Sequence, residues 1–172
     1  MDATTGNDAL WGGRFEASPE AFTQRVRAVI GEELLSRIED LPLLCKNLQP
    51  RTEVLGEIPS QIAFIKELPD YELELFENKK MKTDAATAKE ALEILLPILE
   101  NAPVWTPDAI FSACAEKAAA IEKKNGWLLY PLGIALAGTR STPGGGTDLA
   151  VILGREKTLA RIDTALEKLA DF

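Results

Sequence analysis

The run Thr142-Pro143-Gly144-Gly145-Gly146 is where backbone groups of this chain could do chemistry. Glycines let a phosphate or a base approach N–H groups that side chains would otherwise screen. A nucleotide phosphate loop, however, needs Lys and then Ser or Thr after its last glycine. Here Gly146 is followed by Thr147-Asp148, and no clear strand precedes the run. The simpler reading is a tight turn into a helix capped by Thr147 or Asp148, with amides still able to meet a base or phosphate.

Charged side chains offer a second kind of chemistry. Lys79, Lys80 and Lys82 form the densest positive cluster and could contact phosphates, although a solvated face is the plainer account. Arg51 follows Pro50, which places it near the exposed start of a short helix. Arg140 lies two residues before Thr142. The acidic run Glu72, Glu74 and Glu77 reads as a solvated face, and no carboxylate pair stands out as an acid/base couple. The chain has no histidine, so the commonest general base and metal ligand is absent. Cys45 and Cys114 sit on apolar helical faces and read as buried reduced thiols. Two thiols alone do not make a zinc site, so no metal centre is expected.

The elements that position these residues are helical throughout. Ser18-Pro19 is a cap followed by a first-turn proline, with Phe22, Val26, Val29 and Ile30 at helical spacing before Gly31 interrupts. Leu34, Leu35, Ile38, Leu41, Leu44, Cys45 and Leu48 continue the pattern, with Pro42 at a boundary. Ile58, Ile62, Phe64 and Ile65 form the next apolar set, and Leu68-Pro69-Asp70 breaks it. Ala88, Ala91, Leu92, Leu95, Leu96 and Leu99 mark an amphipathic helix begun by Thr83 or Asp84 and ended near Asn101. Thr106-Pro107 starts another, whose buried stripe is Ile110, Phe111, Cys114, Ala118 and Ile121. Residues 126–138 are apolar almost throughout, which suggests a helix buried on several sides. Leu159, Ile162, Leu166 and Leu169 mark the last. The fold class is all-α, with nine or ten helices of modest length. Trp105, Trp127 and Tyr130 read as core or core-edge residues. The organisation is a tail over 1–17, a helical subdomain over 18–69 and a second over 70–172.

With 46% hydrophobic and 27% charged residues the chain can bury a core, and disorder is not expected. A net charge of −8 argues against general attraction to DNA or to an anionic membrane, yet leaves room for a local basic patch. No apolar run approaches a membrane span, so a cytoplasmic protein is the expectation.

Seven segments in register resemble the C-terminal, anticodon-binding half of bacterial glutamyl-tRNA synthetases. They are SPEAFTQ (residues 18–24), LQPR (48–51), EIPSQIAFI (57–65), LPDY (68–71), NKKMKT (78–83), KNGWLLYPL (124–132) and ALAGTRSTPGGGTDLAVILGREKTLARI (135–162). The resemblance implies an all-helical cage of two subdomains and the anticodon stem-loop of tRNA-Glu as partner. It implies that Arg51, in the Pro-Arg motif, reads the last anticodon base. It implies that Thr142, Pro143 and Gly144, with Gly145 beside them, meet the other two. A guanidinium fork and backbone amides suit the splayed bases of a single-stranded loop. One departure stands out: the family usually has arginine where this chain has Gly133. Gly145 likewise replaces a position that is often apolar.

The HIGH-like and KMSKS-like signatures of the family's catalytic half do not occur here, and KKMKT is a different segment. No catalytic residue and no cofactor is therefore expected in this chain. ATP and magnesium would enter only with a catalytic half, upstream or separate. The alternative class is a helical protein-interaction module that kept the fold and lost RNA reading. Leu10-Trp11-Gly12-Gly13-Arg14-Phe15 also resembles the opening of argininosuccinate lyases. It reads equally as a form of the synthetases' W-x-N-G-x-Y segment before SPEAF.

Overall fold

A computed structural model describes residues 18–172 apart from 53, 54 and 141, and of Arg51 it describes the backbone alone. The tail expected over 1–17, with the segment 10–15 inside it, lies outside the described residues. Nine α-helices occur among the described residues: α1 (Pro19–Leu35), α2 (Leu41–Leu48), α3 (Ile58–Gln61), α4 (Ala63–Lys66), α5 (Ala85–Glu100), α6 (Pro107–Ala120), α7 (Asn125–Ala137), α8 (Gly146–Leu153) and α9 (Arg155–Lys168). Short 3₁₀ turns cover Gln49–Arg51, Leu55–Glu57 and Leu73–Phe76. The sole extended pairing among the described residues is one antiparallel bridge between Asn78 and Thr83. No helix there is long and apolar enough to cross a membrane.

The helix starts follow their caps. Ser18 accepts from the Ala21 amide and Thr106 from the Ala109 amide, each ahead of a first-turn proline. Asp84 and Thr87 bond reciprocally to open α5, which satisfies two N–H groups the helix itself cannot. Gly31 (φ 82°, ψ 167°) kinks α1, as its break in the pattern suggests.

α7 is the central element. It packs against α5, α6, α8 and α9, and eight of its residues from Trp127 to Ala137 are buried. A helix apolar on every side can be stable only when neighbours cover every side. It ends at Gly138 in the left-handed region (φ 67°), packed on Pro69.

Two local expectations change. Pro50 and Arg51 do not begin a new helix. They close a 3₁₀ turn that continues α2, and the buried Thr52 hydroxyl donates back to the Leu48 carbonyl at 2.7 Å. The helical pattern from Ile58 to Ile65 is likewise two short helices, because Ile62 (φ −117°) leaves helical geometry between them.

Arg161 of α9 joins distant parts of the chain. Its guanidinium is buried and donates to the Leu136 carbonyl at 2.5 Å and the Ile65 carbonyl at 3.3 Å. The first acceptor belongs to the last turn of α7, where a positive charge also meets the negative end of the helix dipole.

Candidate nucleic-acid interface

The turn from Thr139 to Gly145 stands between two depressions. On one side a cavity of about 420 Å³ is lined by Gln61, Phe64 and Glu67 of the α3–α4 region and by Thr139 and Pro143. On the other a groove of about 390 Å³ is lined by Thr139, Arg140, Thr142, Gly145, Gly146 and Thr147 together with Met81, Phe111 and α7. Pro143 is buried, Thr142 and Gly144 are half-buried and Gly145 is exposed.

The turn is held from below. The Thr142 hydroxyl donates to the Gly144 carbonyl at 2.7 Å. Asp148 accepts from the Asn47 amide nitrogen of α2 at 3.1 Å. Gly144 (φ 114°) lies directly over that pair. A Cβ there would come within 2.7 Å of Asn47 and 2.9 Å of Asp148, so only glycine fits. Asp148 therefore buttresses the turn and does not cap α8, nor does Thr147. The cap position is Gly145, and among the described residues no side chain caps the start of α8. Asn47 lies one helical turn before Arg51, which ties the end of α2 to this turn. The Arg51 side chain itself is outside the described residues.

The lysines arrive by another route. The bridge between Asn78 and Thr83 closes a loop whose Lys79, Lys80 and Lys82 are exposed. The Asn78 carboxamide accepts from the Lys80 and Met81 amides at 3.0 and 3.2 Å, and buried Thr83 donates to the Phe76 carbonyl. Met81 points inward over Gly126 and lines the groove. Arg140 braces the same region. It donates from Nε to the Tyr130 hydroxyl at 3.0 Å, and from Nη2 to the carbonyls of Glu74 and Glu77 at 3.1 and 3.2 Å. Tyr130 in turn donates to the Leu75 carbonyl at 2.7 Å. Arg140 thus places its charge on the groove while holding the approach to the lysine loop.

The groove floor is one face of α7: Gly126, Leu129, Tyr130 and Gly133, at i, i+3, i+4 and i+7. A Cβ on Gly133 would meet nothing nearer than the Gly146 nitrogen at 3.9 Å. The missing side chain at 133 is therefore open space in the groove and not a packing requirement. Gly146 differs. A Cβ there would meet the Leu129 carbonyl at 3.0 Å and the Leu132 side chain at 3.1 Å, so it sets how closely α8 approaches α7.

Phe111 departs from the buried stripe expected of it. Ile110, Cys114 and Ala118 are buried, but Phe111 is 43% exposed at the mouth of the groove. It is one residue, about 100° of helix, from Ile110, and so lies off the buried stripe. Spacing within α6 alone could not reveal this. The seven-residue interval between Gly126 and Gly133 was the available signal. Gln61 was also missed. Its Oε1 is buried without a hydrogen-bond partner among the described residues, at the other cavity.

The class the geometry defines is an all-helical domain that sets a glycine-rich backbone turn between two depressions, with an exposed lysine loop beside one of them. The family model described as "Anticodon binding domain" matches residues 20–166, and the chain belongs to that family. It is similar to the glutamate–tRNA ligase of Clostridium tetani, 42% identical over 130 residues, covering 76% of this chain and 27% of the ligase. It is 39% identical over 144 residues to that of Clostridium novyi, covering 81% of this chain and 30% of the ligase. The chain thus spans less than a third of those relatives. Among solved structures, a glutamate–tRNA ligase from Elizabethkingia meningosepticum in complex with its amino acid superposes with TM-score 0.69 at 20% identity, over 89% of this chain and 30% of that one. Glutamate–tRNA synthetase from Elizabethkingia anophelis gives TM-score 0.64 at 19% identity, over 88% and 29%. These structures share the all-helical fold.

Proposed function

We propose that this domain binds the anticodon stem-loop of tRNA-Glu in the cytoplasm and reads its bases. Arg51 would read the last, and Thr142, Pro143, Gly144 and Gly145 the others. The observation that carries this is convergence. In a chain of net charge −8, Thr142 and Gly145 of the turn, Arg140, and Met81 of the loop that carries exposed Lys79, Lys80 and Lys82 line one groove. Cations near a glycine backbone suit a phosphate chain with splayed bases. The two subdomains would meet near Pro69, so that the loop lies against both. Glutamate activation, with ATP and magnesium, would belong to a catalytic domain joined to this one or acting beside it, and no cofactor to these residues.

Binding of labelled tRNA-Glu, followed by fluorescence anisotropy across a salt series, tests the reading. Affinity should fall steeply with salt, because phosphate contacts release counterions. A tRNA with an unrelated anticodon should bind more weakly. Equal binding of both would remove anticodon reading, and absence of binding at low salt would remove RNA binding altogether.

A further inference from the structure

Phe111 has an environment that the core does not explain. It is a large aromatic side chain, 43% exposed, in a chain whose other aromatic rings on α6 and α7 are buried or engaged. Trp127 is buried beneath Lys123, and Tyr130 is tied to Leu75 and Arg140. Phe111 and Tyr130 both line the groove, and Phe111 is the more exposed of the two.

We propose that Phe111 is a base-stacking residue, and that the groove beside it takes one unstacked base of single-stranded RNA. The inference rests on the anticodon-reading proposal and extends it to a residue and a pocket on α6 and α7. Three features argue for a base in place of an apolar peptide. The floor is open at Gly133, where a Cβ would meet nothing nearer than the Gly146 nitrogen at 3.9 Å, while Met81 covers Gly126. Arg140 supplies a cation to the lining, and Met81, also in the lining, belongs to the loop that carries the exposed Lys80 and Lys82. The far wall is backbone, Gly145 and Gly146 at the start of α8, where no side chain among the described residues caps the helix, and it can meet polar base edges. An aromatic face, a backbone edge and phosphate-binding cations are the parts of a stacking site for single strands.

The test uses the whole chain and labelled tRNA-Glu anticodon stem-loops, one intact and one abasic at each anticodon position in turn. Phe111→Ala should weaken binding of the intact stem-loop by between about five- and a hundred-fold, with the thermal unfolding midpoint unchanged. Phe111→Trp should keep affinity, and Phe111→Leu should not restore it. One abasic stem-loop should already be weak and lose nothing further on Phe111→Ala. Gly133→Leu, which fills the groove from its floor without a clash, should reproduce the loss. The proposal is overturned by full binding of Phe111→Ala, by rescue with Leu equal to rescue with Trp, or by the same loss on every abasic stem-loop. It is also overturned if Phe111→Ala alters self-association in sedimentation and leaves RNA binding intact. If the unsubstituted chain binds no stem-loop, anticodon reading fails first and this inference falls with it.

Discussion

A guanidinium that holds three acceptors cannot be replaced by an ammonium. Arg140 spans the Tyr130 hydroxyl and two carbonyls on either side of Phe76. Arg140→Lys keeps the charge and loses the fork. RNA affinity should fall while the slope of affinity against salt stays the same, because the charge remains, and unchanged affinity would show that the fork is not needed. Arg51→Ala should reduce discrimination at one anticodon base by about 1–3 kcal/mol, measured with stem-loops varied at that base. Gly144→Ala meets both a positive φ and the Asn47–Asp148 pair. It should lose about 1–3 kcal/mol in urea unfolding and weaken RNA binding with it. The sequence made the Thr142-Pro143-Gly144 turn legible because glycine and proline restrict backbone directly. It hid the role of Arg140, because the partners of that guanidinium are carbonyls more than sixty residues away.

At the scale of elements, α7 and α8 cross at two glycines with opposite demands. Gly133 faces space, so Gly133→Ala should stabilise the domain by about 0.5–1 kcal/mol through helix propensity. Gly146 faces the Leu129 carbonyl, so Gly146→Ala should destabilise it by about 1–3 kcal/mol. Urea unfolding of both variants checks the contrast, and equal effects would contradict this crossing. α9 carries the other junction. Arg161→Met leaves the Ile65 and Leu136 carbonyls without their donor and should lose about 2–4 kcal/mol. The long helices were readable because caps and 3.6-residue spacing are local signals, as at Ser18, Asp84 and Thr106. The cap of α8 was misread because Asp148 has a partner on α2 that competes for its carboxylate. The 3₁₀ turns at Gln49–Arg51 and Leu73–Phe76 span too few residues to show a period.

Across the whole molecule, buried acids set the alkaline limit. Burial, and next the Asp70 carboxylate, pushes the Tyr71 phenol up to about 12 from 10.0. Burial pushes the Cys114 thiol to about 11 from 9.0. The unfolded chain gives up these protons first. Stability from Cys114 is intact below pH 9 and lost through pH 11, and that from Tyr71 is lost between pH 10 and pH 12. Unfolding free energy should fall with rising pH over this window, and Cys114→Ala and Tyr71→Phe should each flatten part of the fall. At pH 7 Tyr71→Phe should be neutral or stabilising, since the hydroxyl has no partner among the described residues. That both cysteines are buried was legible from their helical spacing, and the overall charge from counting. That Arg140 and Met81 of the lysine loop line one groove was not, because it depends on how both meet α7. One feature also bears on how the chain is made. Through Arg161, α9 grips Ile65 and Leu136, and Lys157 and Lys168 of the same helix reach the Arg37 carbonyl and Asp70. A ribosome releases α9 after α1 to α8, so those helices emerge before the segment that fastens them. The cleft between α4 and α7 can close only after translation has passed residue 161, and until then a nascent chain would have no finished surface to offer RNA.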